Sequence, residues 1–276
     1  MGRRLGQHFL HDNGVLHSIM AAAALAPGEC VLETGPGRGA LTGRLLEAGA
    51  RVTAVELDPA LCRGLLVRWG EHPAYRLVEG DILAVELAPA ALFASPEPYA
   101  VVANLPYYLS TPFFFRIIAQ REHCSRMVLM VQKEIAERLV AMPEQGKEYG
   151  SLSVAAHHAF RMRYLFSVPP EAFRPRPKVQ SAVVGFEPKA PVLEPEAEQR
   201  FLAYVKQAFT TRRKMMWNPL RRRYPRLPPE QGAAIQELVA NKRAEALTPE
   251  EHLQVFRLLE AGADRELFHE HAGTRS

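Results

Sequence analysis

Cysteine is scarce in this 276-residue sequence, and long apolar runs are missing from it. The three cysteines, Cys30, Cys62 and Cys124, are widely separated and lack the spacing of metal ligands or of a redox pair. We therefore expect reduced thiols, no metal site and a cytoplasmic location. No apolar run is long enough to cross a bilayer, and no continuous apolar core follows the basic residues 1–4. Neither a membrane span nor a signal peptide is therefore predicted.

Acidic residues are missing from one stretch, residues 199–226, which carries nine lysines and arginines. The formal net charge of the whole chain is only +4, so the remainder is net acidic. A basic block on an acidic chain favours a polyanion as partner, and the alternative is a solvated helix face. Tyr204, Phe209 and Trp217 interleave with the charges, which favours a nucleic acid. The candidate contacts are Arg212, Arg213, Lys214, Arg221, Arg222 and Arg223.

Apolar runs of strand length alternate with helical patterns in the first part of the chain. The predicted strands are residues 30–34, 51–56, 75–78, 99–103, 126–131 and 181–186. The predicted helices between them are residues 41–48, 59–69, 89–93 and 112–119. This alternation predicts an α/β fold with a mostly parallel sheet and helices on both faces. The last strand is a candidate for antiparallel pairing.

A segment rich in proline and glutamate, residues 187–198, predicts a linker. Beyond it the pattern is helical at residues 200–209, 229–240 and 249–259. Thr248 precedes Pro249 and is followed by two glutamates, which indicates a helix start. We predict a catalytic domain over residues 1–190, a small helical domain over residues 198–262 and a flexible tail over residues 263–276.

A glycine loop, Gly35-Pro36-Gly37-Arg38-Gly39, joins the first predicted strand to a helix. Glu56 ends the second strand, nineteen residues after Gly37, where an acidic residue can hold ribose hydroxyl groups. NAD is the obvious rival ligand, but the loop differs from the Gly-x-Gly-x-x-Gly fingerprint of dinucleotide sites. Glu33, which begins the loop, is also unsuited to a pyrophosphate and suits a cation. S-adenosylmethionine carries a sulfonium and an ammonium group, so the charges favour it as cofactor.

The tetrapeptide Asn104-Leu105-Pro106-Tyr107 follows an apolar strand and is the most informative motif. An amide oxygen and a turn carbonyl can accept the two hydrogens of an adenine N6 amine, and an aromatic ring can stack on the base. Asp81 closes the third strand, where its carboxylate could accept a hydrogen bond from the adenine amino group of the cofactor, with Ile82 packed against the ring. Considered alone, Asp81 would be interpreted as a helix N-cap. Because Gly35, Glu56, Asp81 and Asn104 all end successive strands, we expect one site.

With these residues placed, the chain resembles the small-subunit ribosomal RNA adenine dimethyltransferases from about residue 6 to residue 259. The matching segments are residues 6–10, 33–37, 56–58, 104–107, 132–134, 149–153, 168–173, 175–179, 212–214 and 243–245. The resemblance implies a Rossmann-like class I methyltransferase core with seven strands, a helical C-terminal domain and S-adenosylmethionine as donor. It implies N6 dimethylation of two adjacent adenosines in the 3′-terminal hairpin of 16S rRNA, within an immature small subunit. We expect a monomer.

The resemblance also carries roles to particular positions of this sequence. Cofactor contacts fall on His8, Leu10, Gly35, Gly37, Glu56, Asp81, Ile82 and Asn104, with Gln7 and Glu33 in support. Target-base contacts fall on Asn104, Leu105, Pro106, Tyr107 and Phe173, although Phe173 could equally be an ordinary core aromatic. Three departures from the family pattern are modest: His8, Thr34 and Arg38 stand where asparagine, isoleucine and leucine are common.

Two alternatives remain open at the level of sequence. The first is the resistance-type methyltransferase that dimethylates an adenine of 23S rRNA, which shares the cofactor loop and a similar tetrapeptide. Residues 132–134, 168–173 and 243–245 favour the small-subunit enzyme. The second is a ribosome-assembly factor whose main role is binding. DNA adenine and protein glutamine methyltransferases fit less well, because they usually carry a second proline or an acidic residue in the tetrapeptide.

Overall fold

The computed structural model describes residues 8–212 and 214–262, which fall into two compact units. The first unit contains the chain up to Glu137 together with Ala159–Ala190. The second unit contains Arg138–His158 and the chain from Pro191 onward. Residues 138–158 were predicted to lie in the first domain and instead belong to the second unit.

The reason for this difference is a tertiary one. Ala141, Tyr149 and Val154 are buried in the core of the second unit, and the Tyr149 hydroxyl donates a 2.7 Å hydrogen bond to the carbonyl of Leu247. Tyr149 and Leu247 are 98 residues apart in the chain. No local pattern in the sequence reports such a pairing.

A seven-stranded sheet is the centre of the first unit. The strands of this unit are β1 (Phe9–Leu10), β2 (Cys30–Thr34), β3 (Arg51–Glu56), β4 (Tyr75–Glu79), β5 (Tyr99–Asn104), β6 (Cys124–Gln132), β7 (Phe160–Val168), β8 (Phe173–Arg174) and β9 (Ser181–Pro188). Seven of them pair in the order β4-β3-β2-β5-β6-β9-β7. Pairing is parallel from β4 to β6, and β9 is antiparallel to both β6 and β7. The predicted α/β fold and the antiparallel last strand are confirmed.

Helices connect the parallel strands, as the alternation of patterns predicts. They are α2 (Ala40–Glu47), α3 (Pro59–Trp69), α4 (Pro89–Phe93) and α5 (Ser110–Ile118), while α1 (Asn13–Ala23) precedes β2, and α6 (Lys133–Val140) and α7 (Ser151–Ala159) follow β6. Strands β2, β3 and β5 are buried almost throughout, since helices cover both faces of a parallel sheet. A core cluster that includes Leu16, Ile19, Leu45, Val52 and Val102 packs on one of these faces.

Strand β7 was not predicted, because two arginines interrupt its apolar run. Arg161 and Arg163 are exposed, whereas Phe160 is fully buried, so the strand alternates between solvent and core. Within the described residues it pairs only with β9 and forms one edge of the sheet. Charged residues are common on edge strands, where they discourage pairing with other chains.

Four helices follow in the second unit, as predicted for three of them: α8 (Pro195–Thr210), α9 (Trp217–Arg223), α10 (Pro229–Leu238) and α11 (Pro249–Gly262). Because β9 runs to Pro188 and α8 begins at Pro195, the linker is shorter than the predicted residues 187–198. The predicted start of α11 is confirmed in detail. The backbone N–H of Glu251 donates to the Thr248 hydroxyl at 3.2 Å, and the N–H of Thr248 donates to the Glu251 carboxylate at 2.8 Å.

Within the described part of the chain, no helix has the length and apolar character needed to cross a membrane.

Candidate active site

The carboxyl ends of β4, β3, β2 and β5 lie side by side and open into a cleft. Open parallel sheets bind their ligands at this edge. The cleft has an empty volume of about 1040 Å³, open solvent included. The lining contains all the described residues of the predicted catalytic and cofactor sets: His8, Leu10, Glu33, Gly35, Gly37, Glu56, Asp81, Ile82, Asn104, Leu105, Pro106, Tyr107 and Phe173. Gln7, which was also predicted, lies outside the described residues.

The glycine loop makes close contacts that a larger residue would block. Gly35 and Gly37 have φ angles of 65° and 58°, in the left-handed region that favours glycine. A Cβ atom on Gly35 would lie 3.1 Å from Cδ of Pro106, and one on Gly37 would lie 3.0 Å from Cδ1 of Phe9. The loop therefore brings bare backbone to the wall of the cleft.

Glu56, the last residue of β3, is held in place by backbone amides. Its Oε1 accepts hydrogen bonds of 3.0 Å from the N–H groups of Leu57 and Asp58, and its Oε2 accepts one of 3.1 Å from Gly37. A carboxylate offers about four acceptor positions, so these bonds leave capacity on Glu56. The side chain is thus oriented to accept further hydrogen bonds from hydroxyl groups of a ligand.

Asp81 follows β4 and is exposed at the cleft. One carboxylate oxygen accepts a 2.9 Å hydrogen bond from the N–H of Leu83, which makes Asp81 the cap of a local turn. Ile82 is buried, and its carbonyl accepts a 2.7 Å hydrogen bond from Arg116. Within the described residues, no hydrogen bond reaches the second carboxylate oxygen of Asp81, so capping and ligand binding are compatible.

The tetrapeptide turns away from the end of β5. The N–H of Leu105 donates to the carbonyl of Met130 at 3.0 Å, and the carbonyl of Pro106 accepts from the N–H of Leu109 at 2.9 Å. In the described part of the chain, no hydrogen bond engages the side-chain amide of Asn104 or the carbonyl of Leu105. The turn therefore leaves two acceptors unengaged beside the cleft, whereas the carbonyl of Pro106 is already bonded.

The rings of Tyr107 and His8 lie next to each other in the cleft lining. Tyr107 shares a hydrogen bond of 3.4 Å with the hydroxyl of Ser181, and its ring centroid lies 5.7 Å from that of His8. Nδ1 of His8 donates a 2.7 Å hydrogen bond to the carbonyl of Pro175, which leaves Nε2 as an acceptor. Tyr107 is half-buried, so part of its ring remains open to a ligand.

Glu33 is the most unusual titratable group of the cleft. The residue is 1% exposed, and its Oε2 accepts a 2.6 Å hydrogen bond from the hydroxyl of Thr42. Burial, opposed by the hydrogen bond from Thr42 and assisted by the neighbouring Glu56, raises the pKa of Glu33 to about 8. The carboxyl group is therefore mostly protonated at neutral pH. It would become an effective anion only when a cation lies next to it.

Phe173 lies in the cleft wall and is almost completely buried. It is 2% exposed and packs in the core cluster with Leu10 and Leu16, and its strand β8 pairs with β1. A base can stack only on a ring that solvent reaches. The burial of Phe173 fits the core-aromatic alternative, its place in the cleft lining fits a base contact, and the clamp of Tyr107 and Phe173 stays a prediction.

Sequence reasoning missed several residues that line the cleft. Leu57 is 46% exposed and follows Glu56, and Tyr108 is 52% exposed and follows Tyr107. A large apolar or aromatic residue next to a predicted ligand contact at a strand end is the signal that could have identified both. Thr34 also lines the cleft, and its buried hydroxyl has no hydrogen-bond partner among the described residues.

The predicted basic cluster of the second unit separates into two kinds of residue. Arg212 forms an ion pair with Glu245 and donates to the carbonyls of Gly146 and Lys147, at 2.8 and 3.1 Å, so much of its guanidinium is engaged within the unit and its contact with a phosphate stays a prediction. The exposed members are Lys214, Arg221 and Arg222, while Arg223 is half-buried beside Tyr224 and Arg213 lies outside the described residues.

Among residues 8–212 and 214–262, no group of three or more histidine, cysteine, aspartate or glutamate side chains is arranged to hold a metal ion.

Comparison with known proteins assigns the chain to a family. A family model described as ribosomal RNA adenine dimethylase matches residues 2–261. The ribosomal RNA small subunit methyltransferase A of Thermosynechococcus vestitus is 42% identical over 265 residues, covering 93% of this chain and 96% of that protein. The protein of the same name from Geobacter metallireducens is 39% identical over 263 residues, covering 94% of this chain and 95% of that protein.

Solved structures agree with this assignment. A dimethyladenosine transferase from Plasmodium falciparum superposes with a TM-score of 0.75 at 24% identity, covering 92% of this chain and 98% of that chain, which supports the fold. The 23S rRNA methyltransferase ErmE superposes with a TM-score of 0.68 at 28% identity, covering 91% and 99% of the two chains. With a family model that spans nearly the whole sequence and relatives at about 40% identity, the chain belongs to the ribosomal RNA adenine dimethylase family.

Proposed function

We propose that this protein transfers methyl groups from S-adenosylmethionine to N6 of two adjacent adenosines in the 3′-terminal hairpin of 16S rRNA. Each adenosine would be methylated twice, on an immature small subunit in the cytoplasm, by a monomeric enzyme. The observation that carries the proposal is the pair of unengaged acceptors on Asn104 and Leu105 beside a cleft at the carboxyl ends of the strands. Family membership and the names of the relatives support the substrate class.

The residues of the cleft fit this cofactor. The glycine loop offers bare backbone to the cleft, and Cβ atoms on Gly35 and Gly37 would crowd Pro106 and Phe9, which also line the cleft. Glu56 would accept from the ribose hydroxyls, Asp81 from the adenine amino group, and Ile82 would pack on the adenine ring. The cofactor, when bound, supplies an electrophilic methyl group on a positively charged sulfur. The acidic lining of Glu33, Glu56 and Asp81 suits that charge.

Asn104 and Leu105 would prepare the target amine for attack. The N6 lone pair of adenine is delocalised into the ring, which makes the amine a weak nucleophile. Two N–H···O hydrogen bonds, to the Asn104 side-chain oxygen and to the Leu105 carbonyl, would favour the pyramidal form with a localised lone pair. Leu105 is favoured over Pro106 because the Pro106 carbonyl already accepts from Leu109 at 2.9 Å. Positioning and electrostatics of this kind supply most of the rate enhancement expected here.

Tyr107 would hold the extruded base by stacking, which contributes roughly 1–3 kcal/mol per base in proteins that bind single strands. A dedicated general base is not required in this proposal. The methylated ammonium formed at N6 is strongly acidic, so it can lose its proton to water. The role of the protein is then to orient the amine, to exclude competing geometries and to keep N6 in line with the donor.

We prefer small-subunit rRNA over 23S rRNA as substrate because the chain is more similar in sequence to the small-subunit methyltransferases than to the 23S rRNA methyltransferase. Proteins named small subunit methyltransferase A are 42% and 39% identical to this chain, and the 23S rRNA methyltransferase is 28% identical.

For the second unit, we propose that the exposed Lys214, Arg221 and Arg222 contact rRNA phosphates. Replacing all three by alanine should weaken RNA binding and make it less dependent on salt. An unchanged salt dependence would make them a solvated face.

The experiment that tests the proposal is methyl transfer from labelled S-adenosylmethionine to immature small subunits, followed by nucleoside analysis. N6,N6-dimethyladenosine in the 3′-terminal hairpin is the expected product. Product on naked 23S rRNA alone would contradict the proposed substrate. Retained subunit binding without any product would instead support an assembly factor.

The role of Asn104 has a sharper test. Asn104→Ala should lower turnover by about a hundredfold or more, as expected for loss of a transition-state contact. The affinity for S-adenosylhomocysteine should change far less, and Asn13→Ala on the exposed start of α1 serves as control. An Asn104→Ala enzyme with wild-type turnover would refute the assigned role.

A further inference from the structure

Arg38 is the one arginine or lysine among the described residues that line the cleft. The acidic side chains in the described lining are those of Glu33, Glu56 and Asp81, of which Glu33 is mostly protonated at neutral pH. Arg38 is exposed, and in the described part of the chain no carboxylate lies within ion-pair distance of its guanidinium. A lone cation at the margin of an acidic cleft calls for an anionic partner, and the described chain does not supply one.

The guanidinium of Arg38 is held in place without being neutralised. It lies over the ring of Phe9, 4.5 Å from the centroid, in a cation–π contact. The same ring lies against the glycine loop, since a Cβ atom on Gly37 would come within 3.0 Å of it. The backbone of Arg38 is also fixed, because its carbonyl accepts a 3.2 Å hydrogen bond from Arg68. A stacked arginine keeps its N–H fork free for a planar anion.

The order of the strands indicates which part of the cofactor reaches Arg38. Neighbouring strand ends run β4, β3, β2 and β5, at about 4.8 Å spacing. If the adenine lies at Asp81 after β4 and the ribose lies at Glu56 at the end of β3, the part of the cofactor beyond the ribose lies at the glycine loop after β2. The reactive methyl group must face Asn104 after β5. The amino-acid tail of the cofactor is then the part nearest the loop and Phe9.

We propose that Arg38 binds the carboxylate of the cofactor's amino-acid tail. The inference rests on the proposed use of S-adenosylmethionine and adds a specific anion-binding contact to it. An arginine fork matches a carboxylate with two N–H···O bonds, which a lysine or a leucine cannot reproduce. The tail also carries an ammonium group, so a cleft lined by both carboxylates and Arg38 suits a zwitterion.

The test compares two probes that differ in the tail. S-adenosylhomocysteine has the carboxylate, whereas 5′-deoxy-5′-methylthioadenosine keeps the adenosine and the sulfur but lacks the tail. Calorimetry should show that Arg38→Leu weakens the binding of S-adenosylhomocysteine about three- to tenfold, the range expected for loss of a partly exposed, charge-assisted hydrogen-bonded pair. Binding of methylthioadenosine should stay unchanged. Arg38→Lys should give an intermediate loss, and Arg63→Leu, on the exposed face of α3, should give none.

Each result decides between specific possibilities. Equal losses for both probes would overturn the inference and make Arg38 a packing residue of the cleft. Unchanged S-adenosylhomocysteine affinity with weaker RNA binding would overturn it in favour of a substrate phosphate contact. If the wild-type protein binds neither probe, the cofactor proposal itself fails, which differs from failure of Arg38 alone. A circular-dichroism melting curve of each variant confirms that the fold is kept.

Discussion

Replacing Glu33 by glutamine should stabilise the protein without cofactor, and the gain should grow with pH. Glu33 is 1% exposed, and burial raises its pKa from 4.5 to about 8. Between these values the folded state binds a proton that the unfolded state releases. The free energy of unfolding therefore falls as pH rises through this window. Glutamine removes the titration and can still accept the hydrogen bond from Thr42.

The magnitude follows from the size of the shift. One pKa unit corresponds to about 1.36 kcal/mol, so the destabilisation by Glu33 grows from about 1 kcal/mol at pH 5 to about 4 kcal/mol at pH 7.5. The difference in unfolding free energy between Glu33→Gln and wild type should therefore increase by about 3 kcal/mol over that interval. Any fixed cost of the glutamine amide is the same at each pH and cancels in this comparison.

The assay is urea denaturation at pH 5, 6, 7 and 7.5 with a fluorescence signal confined to the first unit. The sequence has two tryptophans, Trp69 and Trp217, so a Trp217→Phe background leaves only Trp69 of α3. The matched control is Glu47→Gln on the exposed end of α2, which should show no pH-dependent gain. A flat difference for Glu33→Gln across this range would refute the argument that Glu33 is protonated when buried.

Two further predictions concern the second unit, followed through Trp217 in a background where Trp69 is replaced. Thr248→Ala should lower the unfolding free energy by about 1 kcal/mol, since it removes the hydroxyl that accepts from the N–H of Glu251; a change below the error of the urea fit would show that the cap is dispensable. Burial lowers the pKa of His252 from 6.5 to about 4, so the unfolded state binds more protons than the folded state between these pH values. The unfolding free energy of the second unit should therefore fall by up to about 3 kcal/mol as pH drops from 6.5 to 4. A His252→Gln variant, which lacks this titration, should lose correspondingly less over the same range, and parallel pH profiles of the two proteins would contradict the prediction.

The strands of the parallel sheet could be predicted because each is buried on both faces. Strands such as β2 and β5 are therefore nearly continuous apolar runs, which local sequence displays directly. Strand β7 lies at an edge, where Arg161 and Arg163 face solvent and break the run. The prediction that residues 138–158 belong to the first domain differs from the structure for another reason: their partners in the second unit, such as Leu247, lie far away in the sequence.

The site was predictable to the extent that backbone direction determines it. Gly35, Glu56, Asp81 and Asn104 lie at or just after the ends of neighbouring parallel strands, and parallel strands bring their carboxyl ends to one edge. Side-chain environment was not predictable in this way. Whether Phe173 shows its ring depends on what packs above it, and whether Arg212 is free depends on a carboxylate thirty-three residues away.

The sequence by itself determined the chemistry that each strand end carries: an acidic residue near the end of β2 and glycines after it, a carboxylate at the end of β3 and another after β4, and an amide at the end of β5. These are properties of residue type and local pattern, and they follow from short stretches of chain. Only the tertiary structure decided which groups are charged, open or already engaged. Burial makes Glu33 a mostly protonated acid, and Arg38 stacks on Phe9 at the cleft without a carboxylate partner among the described residues. Solvation and hydrogen-bond partners set these states, and both depend on residues that meet only when the chain folds.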